Sequence, residues 1–259
     1  MTIKLIIAFA LLASSSMSRA GEPKNLQLFL LAGQSNMAGR GKVTPGDQKP
    51  HPRVWMLNSE DKWVPAIDPM HRDKPAAGVG PGRAFALALV DADPDIEIGL
   101  IPCAQGGSPI AAWLPGVSFK QTNSHPWDDA IRRTKIAMKS GTLKGILWHQ
   151  GESDCTPALA PAYEGKLHDL IARFRKELSA PEVPFIAGQM GRFEEKPWNA
   201  AKKQVDQAQQ DLPGKAPNTG FASSDGLHHR GDALHFDSDS CRKLGQRYAE
   251  AFLKITAKK

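Results

Sequence analysis

From residue 26 onward, short unbroken apolar runs alternate with longer stretches in which apolar residues recur every three or four positions. Residues 26–31 (LQLFLL), 96–101 (IEIGLI), 145–148 (GILW), 184–187 (PFIA) and 220–222 have the length and composition of buried strands. Between and after them, residues 81–90, 128–139, 157–178, 198–210 and 238–255 predict helices. In the helix expected over 157–178 the apolar face is Leu167, Leu170, Ile171 and Phe174; in the last helix it is Leu244, Tyr248, Ala251, Phe252 and Ile255. Strands apolar on both sides, alternating with helices, predict an α/β fold. The expected form is a three-layer α/β/α sandwich around a central, mainly parallel, five-stranded sheet. Such sheets bind ligands outside the carboxyl ends of their strands. Residues 40–77 break the pattern: they are irregular, carry six prolines, and predict a functional wall or excursion with a small hairpin around 54–64.

The first twenty residues follow a different logic. Lys4 precedes a nine-residue apolar run over 5–13, and Ser18-Arg19-Ala20 supplies small residues suited to cleavage. The run is too short for a bilayer core, which needs about 20 residues. Residues 1–20 therefore predict a secretory signal and 21–259 a single domain, secreted or periplasmic, without membrane association once the signal is removed. The net charge of +6 includes Lys4 and Arg19 and no acid from the signal, so the remainder carries 31 basic and 27 acidic residues, a balance of +4. With no Lys/Arg run, this mild excess does not predict a nucleic-acid partner.

Chemistry-bearing residues cluster after the strands. Gly33-Gln34-Ser35-Asn36-Met37 places a serine at a strand-to-loop turn, where its hydroxyl and its own N–H can face a ligand. Ala38 intervenes before Gly39, so the G-x-S-x-G elbow of α/β-hydrolases is not matched. Cys103-Ala104-Gln105-Gly106-Gly107-Ser108 pairs two glycines, which let backbone N–H groups approach a ligand closely. It has the spacing of neither a P-loop nor a dinucleotide fingerprint, so no cofactor is predicted. His149-Gln150-Gly151-Glu152-Ser153-Asp154 puts polar side chains at a strand end, where burial without partners is costly. With no HExxH and no second histidine on that element, no metal is predicted.

Near the C-terminus, Asp232-Ala233-Leu234-His235 sets an acid three residues before a histidine, just ahead of the last helix. Asp225-Gly226-Leu227-His228 repeats the spacing in a more open loop, so His235 is preferred. Cys103 and Cys155 follow neighbouring strands and could pair in an oxidising compartment, leaving Cys241 single. Of the six tryptophans, Trp113, just after the Gly-Gly loop, is the first choice for an aromatic contact with a substrate, with Asn36 a second substrate-binding candidate.

Taken in order, LFLLAGQSNMAG, GVGPGRAFA, IPCAQGGSPIAAW, ILWHQGESD and DALHFDSDSCRKLGQRYAEAF resemble the SGNH-type esterases. The likeness is greatest to the carbohydrate-esterase branch that includes sialate O-acetylesterases and acetylxylan esterases (carbohydrate esterase family six). The resemblance implies a flavodoxin-like fold, a Ser35 nucleophile and a His235 base. It also implies an oxyanion hole from the N–H groups of Ser35 and Gly107 with the Gln150 side chain. The acid that orients His235 is Asp232 by the general SGNH pattern and Glu152 by the HQGE pattern, and both can contact the imidazole. The implied substrate is an acetylated carbohydrate: xylan, an oligosaccharide or a sialic acid. A lipase or thioesterase of broader acyl range, and an inactive carbohydrate-binding protein, are the alternatives. Ser108 stands where many relatives carry threonine.

Overall fold

The structure, a computed structural model, describes residues 23–257; the expected signal over 1–20 lies outside the described residues. Its strands are β1 (Leu26–Gly33), β2 (Val54–Leu57), β3 (Trp63–Pro65), β4 (Ile98–Pro102), β5 (Gly141–His149), β6 (Phe185–Gly188) and β7 (Thr219–Ala222). They form one sheet in the order β3-β2-β4-β1-β5-β6-β7, parallel except for the β2–β3 pair. The helices are α1 (Ser35–Ala38), α2 (Pro81–Ala92), α3 (Pro126–Ala137), α4 (Tyr163–Glu177), α5 (Ala200–Lys215) and α6 (Ser238–Thr256). No helix among the described residues is long and apolar enough to cross a membrane.

The sheet separates two cores, and β1 shows how the period of two feeds both. Leu26, Leu28, Leu30 and Ala32 enter the core under α3, α4 and α5, which also holds Trp113, Trp148 and Phe174. Phe29 and Leu31 enter the core under α2 and α6. There Phe29 meets Phe85 at 4.8 Å and Phe252 at 5.1 Å between ring centroids, both edge-on. Such pairs add about 0.5–1.5 kcal/mol each to their area burial.

Helices α2 and α6 cross closely at Gly245, where a Cβ would fall against the Pro81 carbonyl oxygen and within 2.8 Å of the Ala84 Cβ. Gly245→Ala gains about 1 kcal/mol of helix propensity but overpacks a backbone-lined contact at about 1–3 kcal/mol. The clash wins: a lower midpoint in urea unfolding is expected.

The sheet has seven strands rather than five, because the hairpin expected around 54–64 joins it. Val54, Trp55 and Met56 pair in parallel with Ile98, Gly99 and Leu100, and β3 becomes the edge, where Pro65 forfeits no needed ladder bond. Strand β5 begins four residues before its apolar run. Lys144 is the extra residue of a bulge opposite Leu28 and Phe29, exposed and therefore silent in the pattern. The helix expected over 157–178 opens instead with a 3₁₀ turn over Ala160–Ala162, since Pro161 cannot donate inside an α-helix, and α4 starts at Tyr163.

Within the 40–77 excursion, Asp68 is buried, and desolvation pushes its carboxyl up to about 7 against the opposing charge of Arg83. The folded state therefore holds this proton up to near neutrality, whereas the unfolded chain releases it near the ordinary value of 3.8. Stability must fall as pH rises between the two values, by at most about 1.4 kcal/mol per pH unit. Asp68→Asn is expected to flatten that slope, so that urea midpoints at pH 4.5 and pH 8 converge.

Candidate active site

Three neighbouring strands, β4, β1 and β5, end side by side, and the loops that follow them meet at one edge of the sheet. Gly33 ends β1 with φ +121°, and any Cβ there would strike the His149 carbonyl on β5. Only glycine allows the turn, after which Gln34 donates to that same carbonyl at 2.8 Å and Ser35 opens the single helical turn of α1. The Cys103–Ser108 loop is tied to the same point, because the Gln105 N–H donates to the Gly33 carbonyl at 2.9 Å.

The imidazole that reaches Ser35 is that of His235. Its Nε2 lies 3.0 Å from Ser35 Oγ, and its Nδ1 lies 2.7 Å from Asp232 Oδ2, across 200 and 3 residues of chain respectively. The three-residue spacing lets one carboxylate do two things. Oδ2 faces the ring, while Oδ1 accepts the N–H groups of Leu234 at 3.0 Å and His235 at 2.8 Å, closing an Asx-type turn. That turn holds Ala233 at φ +51°, a conformation few non-glycine residues adopt. Partial burial works to raise the Asp232 carboxyl, but the donors from His235 and Leu234 outweigh it and keep it below the ordinary carboxylate range. Helix α6 starts three residues after His235, N-capped by the Asp237 side chain on the Ser240 N–H at 2.8 Å, and so anchors the loop. The backbone N–H of His228 donates to Ser240 Oγ at 2.8 Å, and it is the His235 ring, not that of His228, that meets Ser35.

The Gly106-Gly107 turn lies in the loop after β4, which is bonded to the end of β1. The Gly106 N–H donates to Asp73 Oδ2 at 2.9 Å and the Ser108 N–H to the Gln105 carbonyl at 3.1 Å. The N–H groups of Gly107 and Ser35 have no partner among the described residues. Gly107 has φ +87°, and a Cβ there would lie 2.8 Å from Gln121 Oε1. Asp73 is held by a buried ion pair with Arg40 at 2.6 Å, and Arg40 donates to the Gly39 carbonyl at 2.7 Å. This latch, between the turn after α1 and the glycine loop, was invisible in sequence: both members sit in or beside the irregular 40–77 stretch, with no spacing signal.

Four expected roles need correction. Gln150 is fully buried, and its Nε2 lies 2.6 Å from Asp154 Oδ2 and 3.2 Å from both Gln34 Oε1 and the Ser108 carbonyl. Two N–H bonds facing three internal acceptors leave nothing to donate to an oxyanion; Gln150 ties the three loops together from below. Trp113 is also fully buried: it donates from Nε1 to Ser108 Oγ at 3.0 Å and packs edge-on against Trp148 at 5.1 Å. Its 3₁₀ turn is fixed by the Ile110 N–H on Asp154, so the indole supports the glycine loop and offers no face to a sugar. Asn36 is 1% exposed and its amide faces inward, toward Glu152 and the His235 loop. Glu152 bonds to Asn36 at 2.7 Å and not to the imidazole, whose two nitrogens are taken by Ser35 and Asp232. The cysteines are free: Cys155 donates to the Gly151 carbonyl at 3.1 Å, and Cys103 is buried, its thiol pushed up to about 11 by desolvation. Among the described residues no group of three or more His, Cys, Asp or Glu side chains could hold a metal ion.

A hydroxyl against an imidazole, an acid behind the imidazole and two unpartnered N–H groups on the loops after β1 and β4 are the parts of an acyl-transfer site. The family described as carbohydrate esterase, sialic acid-specific acetylesterase, matches residues 25–254. The chain belongs to that family. The esterase is thus a carboxylic ester hydrolase. It is 33% identical over 252 residues to a protein of Arabidopsis thaliana named a probable carbohydrate esterase, an alignment covering 88% of this chain and 90% of the relative. A solved Arabidopsis thaliana structure superposes with a TM-score of 0.79 at 32% identity, covering 90% of the esterase and 99% of that chain. The fold is shared with NanS, at TM-score 0.74 and 19% identity over 92% of this chain and 99% of that one. It is shared too with a carbohydrate acetylesterase of Xanthomonas citri, at 0.69 and 21% over 90% of this chain and 57% of that one.

Proposed function

We propose that this esterase removes O-acetyl groups from carbohydrate through an acetyl-enzyme formed on Ser35, with His235 as general base and Asp232 as the orienting acid. The observation that carries the reading is the unbroken line Ser35 Oγ, His235 Nε2, His235 Nδ1, Asp232 Oδ2, with contacts of 3.0 and 2.7 Å. His235 takes the Ser35 proton as Oγ attacks the acetyl carbon. The N–H groups of Ser35 and Gly107 receive the negative oxygen, and such donors are each worth roughly 10²–10³ in rate. The imidazolium then protonates the departing sugar oxygen, and a water activated by the same imidazole releases acetate and regenerates Ser35.

A short acyl group fits the surroundings. Among the described residues the exposed large apolar side chains are Leu114, Met138 and Leu253, and none lies in the loops that carry Ser35, Gly107 or His235, which favours a short acyl group. The signal-like residues 1–20 support action outside the cytoplasm on an exported acetylated glycan, either xylan, an oligosaccharide or a sialic acid. Acetate release from acetylated xylan and from O-acetylated sialic acid, measured side by side with p-nitrophenyl esters of increasing chain length, tests the reading. Faster turnover of a sugar acetate than of any long-chain ester is expected; preference for long chains would replace it with a lipase.

A further inference from the structure

Asn36 follows the serine directly, and its side-chain amide is fully spent. Nδ2 donates to Glu152 Oε1 at 2.7 Å and to the Leu234 carbonyl at 3.2 Å, and Oδ1 accepts the Phe236 N–H at 3.2 Å. Leu234 and Phe236 are the two neighbours of His235. One side chain thus grips the backbone on both sides of the imidazole, and Glu152 grips that side chain.

We propose that Glu152 is a positioning residue that acts on His235 through Asn36, by fixing which way the Asn36 amide faces. This inference rests on the esterase reading of Ser35 and His235. An asparagine amide can be turned over, exchanging its donor and acceptor ends. Leu234 offers a carbonyl and Phe236 an N–H, so only one orientation serves both. A carboxylate accepts hydrogen bonds and donates none, so it excludes the reversed amide, whose oxygen would face its own. A glutamine at 152 accepts either orientation, because it can present oxygen or nitrogen. The carboxylate is held off the catalytic ring by this arrangement, and its Oε2 has no hydrogen-bond partner among the described residues. His149 Nε2 lies 3.9 Å from Glu152 Oε1, and the Tyr248 hydroxyl, which donates to the Trp148 carbonyl at 2.8 Å, stands 3.3 Å from His149 Nδ1. Burial drives the His149 imidazole toward its neutral form, against the pull of Glu152.

A double-mutant cycle on kcat separates this relay from a direct role. Asn36→Ala should lower kcat by ~10- to 100-fold and Glu152→Gln by a smaller factor, with KM little changed in both, the cost of a misplaced base. If Glu152 works through Asn36, the double variant should lose no more than about twice the larger single loss, because the second change removes nothing further. Losses that multiply, or a Glu152→Gln enzyme at the parent rate, would overturn the relay. Asn36→Asp supplies a second reading that does not depend on a deletion. Facing Glu152 it sets two carboxylates together, and Glu152→Gln in the same chain should restore part of its lost kcat; no restoration would also count against the relay. Thermal unfolding of each variant establishes that the rates belong to folded protein. Ser35→Ala run in parallel keeps the two ideas apart: activity surviving there ends the esterase reading, whereas its loss with multiplicative Glu152 and Asn36 effects ends the relay alone.

Discussion

Ser35→Ala should lower acetate release by about 10⁴-fold or more while leaving the unfolding midpoint within about 0.5 kcal/mol of the parent. The serine hydroxyl is the only atom removed. It makes one hydrogen bond, to His235, and the backbone N–H of residue 35, the proposed oxyanion donor, stays in place. The residue is buried at the start of α1, yet its hydroxyl supports no internal structure, so the loss falls on chemistry. Initial rates on an acetylated sugar, with urea unfolding of the same preparations, check both halves. Partial activity, down only tenfold, would mean that water attacks the ester directly and that Ser35 merely orients it.

Asp232→Asn should have the second largest effect, a fall in kcat of about 10²–10⁴. Asparagine keeps the shape, and its oxygen can still accept the Leu234 and His235 N–H groups that shape the turn. What changes is the atom facing Nδ1. An amide nitrogen there donates, so the ring must turn its unprotonated nitrogen toward it and present N–H to Ser35, the tautomer that cannot take a proton. The Asp232 side chain is 39% exposed and Arg230 Nε lies 3.7 Å from it, so the lower part of the range applies if solvent screens the imidazolium without the carboxylate. Since Glu152 does not touch the ring, Glu152→Gln should cost less than Asp232→Asn under the same conditions; the reverse order would move the orienting role to Glu152.

How far the amino-acid order alone discloses this molecule depends on the range of the interaction that sets each feature. The strands β1, β4, β5, β6 and β7 are legible because burial on both faces requires near-continuous apolar runs over most of their length, as Phe29, Leu30 and Leu31 show. The β2–β3 hairpin was legible as a hairpin but not as part of the sheet, because its docking on β4 is a contact between segments that share no pattern. Ser35, Gly107 and His235 stood out for a local reason: each needs a glycine, a turn or an acid at a fixed offset. The Asp232 offset carries its own explanation, one carboxylate serving ring and backbone together. Side-chain direction was not legible. Trp113, Asn36 and Gln150 follow strands that end at the site, which suggested exposure, yet all three point inward and support the loops from below. Nothing in the order of residues distinguishes an amide that faces a ligand from one that faces Asp154 or the Leu234 carbonyl. Arg40 and Asp73 were missed for the same reason, since an ion pair across 33 positions of irregular chain leaves no periodicity to read.

The Ser35 hydroxyl is proposed as the nucleophile that His235 activates. A fluorophosphonate that reacts only with activated serines, followed by mass mapping of the labelled peptide, tests it most directly. One equivalent of label on Ser35, lost in His235→Ala, is the predicted result. Label on another serine, or none on a folded protein that still releases acetate, would contradict it.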